Sequence, residues 1–375
     1  MNFPACPHRP PCPGCPRYGE RGLAPGARET LNALAAQAGL PMPAVHEDEA
    51  QGFRHRARLM VRGRAASPKV GIFQEESHRI VDIPKCRVHH PLVNRVAAEL
   101  KRAVRECGVT PYAERPHRGD LRAAQVAVAR GGRAAQVVLV GNADAPDALA
   151  PVAARLEAAL GDALQGLWWN GNPDRTNVIL GPHWQHLAGE DALRERVAGV
   201  DVFFPPGAFG QSHVALADGL VERLRASVPD GARVAEFYAG CGPIGLGLLG
   251  RCAEVRFNEV AAHAIEGLVR GLAERPEAEQ ARAQLVPGPA AEGLEILDGA
   301  DTVIVDPPRK GLDAKLLEAL VAHRPSRIFY ASCGLVSFER DARHLLDAGL
   351  RLTALEAWNL FPYTNHLETA ARFES

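Results

Sequence analysis

The stretch Arg233-Val234-Ala235-Glu236-Phe237-Tyr238-Ala239-Gly240-Cys241-Gly242-Pro243-Ile244-Gly245 decides the fold class. Its first five residues set Val, Ala and Phe around a single carboxylate, as a buried strand does. Gly240, Gly242 and Gly245 then follow in G-x-G-x-x-G spacing, which lets a chain turn tightly out of a strand and bring its backbone close to a nucleotide. A strand, a glycine turn and a helix, expected near Leu246, open a doubly wound α/β sheet. Glu259 closes the next expected strand, 254–258, where a carboxylate can accept hydrogen bonds from both ribose hydroxyls. These residues alone admit a nicotinamide dinucleotide as readily as any other nucleotide-bearing cofactor.

A helix over 214–227 and a turn at Pro229-Asp230-Gly231 precede this stretch, and strands over 302–305, 327–331 and 350–357 follow it. Ligands of such a sheet bind at the carboxyl ends of its strands, so the residues just past each strand carry the chemistry. After 302–305 comes Asp306-Pro307-Pro308-Arg309-Lys310-Gly311. Its two prolines fix an extended loop and hold a carboxylate and a basic pair at the crevice, a device that a dehydrogenase does not need. After 327–331 comes Ser332-Cys333-Gly334, and a thiol at a strand end beside a basic loop is placed to react as a thiolate. In Phe361-Pro362-Tyr363-Thr364-Asn365-His366-Leu367-Glu368, Glu368 is the candidate general base and His366 its rival.

Upstream the texture differs. Alternating segments at 57–61, 69–73, 125–129 and 135–140, with helical spacing at 92–104 and 151–164, predict an α+β region. The boundary falls near 200–209, giving an N-terminal region 1–205 and an α/β region 206–375; a chain of 375 residues suits two domains of roughly 100–200 residues each. Hydrophobic residues at 46% and charged ones at 23% describe an ordinary globular protein. No run of about 18 apolar residues occurs, and 1–16 lacks the charged-then-apolar make-up of a leader, which predicts a cytoplasmic protein with no membrane partner, expected as a monomer. The net charge of −1 excludes a protein basic all over, yet Arg54, Arg56, Arg58, Arg62, Arg64 and Lys69 fall in 51–69 with no acidic residue among them. A second basic concentration spans 101–133. Both suit contact with phosphates.

The eight cysteines of a cytoplasmic protein are expected as ligands, catalysts or packing residues rather than disulfides. Cys6, Cys12 and Cys15 form C-x5-C-x2-C in a Pro-rich loop, and Cys86 stands far downstream. Four thiolates suit zinc or an iron–sulfur cluster, and spacing does not choose between them. Cys107, Cys241 and Cys252 read as packing residues.

Taken together and in this order, these motifs resemble the RNA (uracil-5-)methyltransferases over essentially the whole chain. The resemblance implies a Rossmann-like S-adenosyl-L-methionine-dependent domain, preceded by an RNA-binding α+β region in which Cys6, Cys12, Cys15 and Cys86 hold a 4Fe-4S cluster. It further implies that Gln211 (in Phe209-Gly210-Gln211-Ser212-His213), Tyr238, Gly240, Gly242, Glu259 and Asp306 contact the cofactor, that Cys333 is the nucleophile and that Glu368 is the base. Carbon 5 of uracil is a poor nucleophile, and thiolate addition at carbon 6 makes it an enolate carbon able to attack a sulfonium methyl. No TRAM β-barrel precedes the cysteines, and Gln51-Gly52-Phe53-Arg54 and Gly108-Val109-Thr110-Pro111-Tyr112 also look like the short enzymes acting on 23S rRNA, so rRNA is the expected partner and tRNA the alternative. The sequence departs from the family pattern at His213, Ala239 and Gly334. An inactive RNA-binding module and an iron–sulfur nucleotide-dependent oxidoreductase are the readings from other classes; the pairing of Cys333 with Glu368 opposes the first and the Asp-Pro-Pro-Arg loop the second.

Overall fold

In the computed structural model, which describes residues 5–375, the chain packs as two compact units and passes between them more than once. The stretch ending at Gly19, together with Glu49–Arg194 and Pro205–Val214, forms the first unit. Glu20–Asp48, Glu195–Phe204 and Ala215–Ser375 form the second, to which the early segment contributes helix α1 (Pro25–Gln37) and strand β1 (Ala44–His46).

The first unit is built on a seven-stranded sheet of β2 (Arg56–Arg64), β3 (Ser67–Phe73), β4 (Ile80–Asp82), β5 (Leu121–Val128), β6 (Ala135–Gly141), β7 (Leu164–Gly171) and β8 (His183–Gly189), in the order β4-β3-β2-β5-β6-β7-β8. Neighbours are antiparallel except β6 and β7, whose parallel pairing is made possible by a crossover through helix α3 (Ala150–Leu160). Helix α2 (Pro91–Cys107) joins β4 to β5. It starts where Pro91 is preset for a first turn and the His90 ring accepts from the Leu92 N–H, and it stops at Gly108, whose φ of 67° is left-handed. Val93, Val96 and Leu100 of α2, with Val152 and Leu156 of α3, pack on Leu59, Val61, Val70, Val126 and Leu139 of the sheet. Period-two alternation divides β2: Ala57, Leu59 and Val61 turn to the helices, and Arg56, Arg58, Met60, Arg62 and Arg64 share the opposite face.

Strands β9 (Leu193–Val197) and β10 (Val200–Phe204) form a two-stranded sheet. The second unit then runs through α4 (Val214–Ser227), β11 (Arg233–Phe237), β12 (Glu254–Glu259), α5 (Ala262–Ala273), the short α6 (Glu277–Gln280), β13 (Ala283–Pro287), β14 (Thr302–Val305), α7 (Ala314–His323), β15 (Arg327–Ser332), α8 (Leu335–Asp347), β16 (Arg351–Trp358) and β17 (Glu368–Glu374). The sheet order is β1-β16-β17-β15-β14-β11-β12-β13. Only β17 is antiparallel, slotted between β15 and β16. From β11 the chain winds outward through β12 and β13, then returns to lay β14 on the other side of β11. The carboxyl end of β11 is therefore the switch point at which such a sheet opens a crevice.

The helix expected near Leu246 is absent: the glycine turn leads into a single 3₁₀ turn, Gly245–Gly247. Two close approaches account for this. A Cβ on Gly245 would stand 2.1 Å from the Glu236 carboxylate, and one on Gly247 would stand 2.2 Å from the Arg225 guanidinium carbon, so both positions are held by glycine, a poor helix former. Among the described residues no helix is long and apolar enough to cross a membrane.

Candidate active site

Four parallel strand ends and the start of one antiparallel strand meet at the carboxyl edge of the second unit's sheet. From β11 the chain enters the glycine turn through Tyr238, whose φ of +59° is left-handed, a strained choice for a bulky residue. The Tyr238 hydroxyl, 3.3 Å away, accepts from the Asp313 N–H. Gly240 (φ +59°) has open space where a side chain would stand, whereas a Cβ on Gly242 (φ +79°) would meet Leu268 at 2.4 Å. Glu259, ending β12, ties the turn down: one carboxylate oxygen accepts from the Gly240 N–H at 2.8 Å, and the other accepts from Val260 and Ala261 at 2.8 and 2.7 Å. A carboxylate offers about four lone-pair sites, so the oxygen facing Gly240 can take one more donor.

Asp306 follows β14 and Cys333 follows β15. Because β17 runs antiparallel to β15, with Thr369 opposite Ser332, its first residue, Glu368, falls at the same edge as Cys333. Glu368 is 1% exposed, and its Oε2 has no hydrogen-bond partner among the described residues, a costly state for a buried oxygen. Burial, then the field of Asp306, holds its carboxyl well above the usual carboxylate range, with Arg309 opposing. Burial, then the Glu368 and Asp306 carboxylates, push the Cys333 thiol up to about 11, again against Arg309. Asp306 itself is raised by burial and by Glu259, although its side chain keeps a solvent-facing surface. Glu368, Asp306 and Cys333 thus crowd around Arg309, and their shared field disfavours ionising all three at once. His366, the rival base, is exposed and its pKa is lowered by burial and by Arg309.

The loop 306–312 is fixed from beneath by α8, a contribution that sequence reasoning missed. Asp341, fully buried, accepts at one oxygen from the Leu312 N–H and the Tyr330 hydroxyl, each at 2.8 Å. The Ser337 hydroxyl lies 2.8 Å from the Arg309 carbonyl and 2.9 Å from that of Gly334. Arg340 donates to the Lys310 carbonyl at 3.0 Å. The available signal was helical spacing: 337 and 341 lie on one face, buried beside Phe338 and Ala342. Gly334, a departure from the family pattern, has a local reason, since a Cβ there would lie 2.5 Å from the Arg309 carbonyl oxygen. Glu236 was also missed: it is buried in β11, and burial pushes its carboxyl up to about 8 despite Arg225 nearby.

The remaining candidates belong to the first unit. Gln211 lies half-buried in its 205–214 segment, two residues before His213, which stacks on Phe53 at 4.9 Å. Cys6, Cys12, Cys15 and Cys86 line one small cavity with His8, His89 and Arg54. All four are free thiols. Burial, then Cys86, Cys12 and Cys6, push Cys15 up to about 12. Among the described residues no group of three or more His, Cys, Asp or Glu could hold a metal ion.

A family model described as tRNA (Uracil-5-)-methyltransferase matches residues 295–374, the part that contains Asp306, Cys333 and Glu368. An uncharacterised RNA methyltransferase of Protochlamydia amoebophila is 33% identical, over 99% of this chain and 97% of the relative. The chain belongs to the RNA uracil-5-methyltransferase family. Another member, an uncharacterised RNA methyltransferase of Geobacter sulfurreducens, is 30% identical over 98% of this chain and 76% of its own length. The fold is shared with the crystal structure of Pyrococcus abyssi tRNA (uracil-54, C5)-methyltransferase in complex with S-adenosyl-L-homocysteine, at a TM-score of 0.74 and 24% identity, covering 93% of this chain and 83% of that one.

Proposed function

We propose that the protein methylates carbon 5 of a uridine in RNA, with S-adenosyl-L-methionine as methyl donor, Cys333 as nucleophile and Glu368 as base. The observation that carries this reading is the register of β15 and β17, which sets a thiol and a buried carboxylate, one of whose oxygens has no partner among the described residues, at one sheet edge. Bound in the crevice, the donor would supply an electrophilic methyl and a positive sulfonium. Tyr238, the glycine turn at Gly240 and Gly242, Glu259 and Asp306 are assigned to hold it.

Cys333 gives up its proton to water and its sulfur adds to carbon 6 of uracil. The electron pair released at carbon 5 takes the methyl group, and the pair of the broken carbon–sulfur bond stays on the donor's sulfur, which leaves as a neutral thioether. Glu368 removes the carbon-5 proton, the ring double bond reforms, and the Cys333 thiolate leaves. The raised pKa of Glu368 makes its carboxylate a stronger base for a proton on carbon. Arg309 is the cation that favours the thiolate.

Cys6, Cys12, Cys15 and Cys86 are assigned to a structural 4Fe-4S cluster. Four thiols around one cavity, drawn from two distant segments, fit such a group. Metal analysis after anaerobic purification tests the assignment; zinc at full occupancy without iron would overturn it.

The RNA is assigned as 23S rRNA on the likeness of 51–54 and 108–112 to the enzymes acting on it. The second reading, tRNA, is favoured by the description of the matching family model and by the substrate named for the Pyrococcus abyssi protein. Incubation with methyl-labelled S-adenosyl-L-methionine and unmodified 23S rRNA or tRNA, followed by nucleoside analysis, decides between them. 5-Methyluridine in one RNA, lost with Cys333→Ala, is the expected result. No labelled nucleoside in either would overturn the reading.

A further inference from the structure

The helices of the first unit cover one face of its seven-stranded sheet. On the opposite face the arginines of β2 stand in a row at every second residue, broken by Met60, and a groove of about 670 Å³ opens beside them, between β2, β3 and the 176–179 segment.

The groove has an apolar floor and wall, made by Met60, Phe73 and Ile179, while Val178 at its edge is 63% exposed. Phe73 ends a ladder of alternating cations and rings: the Arg122 guanidinium lies 4.5 Å from the Tyr112 ring, and that of Arg62 lies 5.1 Å from Tyr112 and 5.4 Å from Phe73. Arg62 is engaged with Glu114 at 2.7 Å, and Glu114 also pairs with His78 at 2.6 Å, so this carboxylate is already neutralised; Glu76, the other carboxylate of the lining, is exposed. Arg58 differs from Arg62. Its Nε donates to Gln125 at 2.8 Å, and no carboxylate pairs with it among the described residues, which leaves its terminal nitrogens for an anion. An aromatic ring, apolar walls and an uncommitted guanidinium beside a row of arginines match a nucleobase that carries its phosphate. The groove's volume is ample for one nucleotide, and its open side faces away from the packed helices.

We propose that this sheet face binds single-stranded RNA and that the groove takes one unpaired nucleobase, stacked on Phe73, with the adjoining phosphate on Arg58. The base is a second nucleotide, separate from the methylated uridine, and the proposal rests on the reading of the protein as an RNA methyltransferase. It gives the sheet face a selective role: a fully paired helix cannot place a base there.

Full-length protein is titrated against a labelled 20-nucleotide single-stranded RNA and against the same strand in a duplex, over a salt series. Phe73→Leu keeps the apolar bulk without the ring face, and Arg58→Gln keeps the hydrogen bond to Gln125 within reach without the charge. We expect the single strand to bind more tightly than the duplex, Phe73→Leu to weaken it about 5- to 50-fold, and Arg58→Gln to lower the salt slope by about one. S-adenosyl-L-methionine binding, measured by calorimetry, stays at the wild-type value and reports an intact fold. Equal affinity of both variants and the wild type for the single strand overturns the proposal, as does a preference for the duplex. Methyl transfer is measured alongside. Methylation by the wild type with unchanged KM for RNA in both variants removes the groove and leaves the activity; weakened binding by the variants of a protein that methylates no RNA keeps the groove and removes the activity.

Discussion

The two sheets present their polar residues in opposite ways. In the second unit, Tyr238, Glu259, Asp306, Cys333 and Glu368 lie far apart in sequence and converge because strands end together. In the first, Arg56, Arg58, Arg62 and Arg64 come from one strand and are spaced along a face by the two-residue period, Arg58 and Arg64 exposed and Arg56 and Arg62 partly buried. A meeting of strand ends concentrates charge, shifts pKa values and suits bond making. A strand face spreads charge and suits the tracking of a polymer. The difference predicts that changes at the edge are severe and non-additive, while changes on the face are mild and graded.

The largest effect belongs to Cys333→Ala, which removes the proposed nucleophile and is expected to abolish 5-methyluridine formation while S-adenosyl-L-methionine still binds; measurable turnover would take that role from Cys333. Glu368→Gln keeps the shape and loses the base, so the rate should fall by about 10²–10⁴ and a covalent protein–RNA adduct should accumulate, visible as a species of reduced mobility on a denaturing gel. Asp341→Asn weakens the hydrogen bonds that hold the loop at Leu312. A stability loss of about 1–3 kcal/mol in denaturant titration, with a drop in kcat larger than any change in KM for RNA, would mark it as a positioning residue.

Glu236 yields a pH test. Its carboxyl is raised from the ordinary 4.5 to about 8 by burial, with Asp306 and Glu259 adding to the rise and Arg225 opposing it. The folded state therefore binds a proton that the unfolded state has released, so this contribution to stability is complete below about pH 4.5 and is lost as pH rises through about 8. Glu236→Gln should flatten the fall in thermal midpoint between pH 5 and pH 8.5. At the small end, Arg64→Ala on the sheet face should weaken RNA binding only a few-fold and lower the salt slope by about one; a loss as large as that at the edge would erase the contrast between the two sheets.

Much of the edge was legible because its residues sit in short local motifs. Asp306-Pro307-Pro308, Ser332-Cys333 and the glycine spacing each announce a strand end, and helices α2 and α4 show their periodicity plainly. What sequence could not supply depends on tertiary approach. The residues 368–374 carry no strong alternation, and their insertion between β15 and β16 makes β17 a strand. Asp341 reads as one more charge on a helix until Leu312 and Tyr330 are seen to converge on it. Segment 20–48 shows no compositional sign of belonging with residues 300 positions later. Spacing likewise does not choose between Glu368 and His366 as base, and it gives no sign that the first is buried and the second exposed.

That excursion has a consequence in time. Strand β1 pairs with β16, and the His46 ring stacks on Trp358 at 3.8 Å and bonds Glu356, 310 positions downstream. At ordinary speeds of synthesis β1 waits roughly 15–60 s for its partner to be made. The first unit can fold during that interval, with its early neighbour left as a dangling, half-apolar tether. Closing the sheet is then a late event across a long span, slow to nucleate. No contiguous fragment of the gene encodes the second unit whole, so the ribosome and its attendant chaperones, rather than a cloning boundary, decide when this half of the molecule first exists.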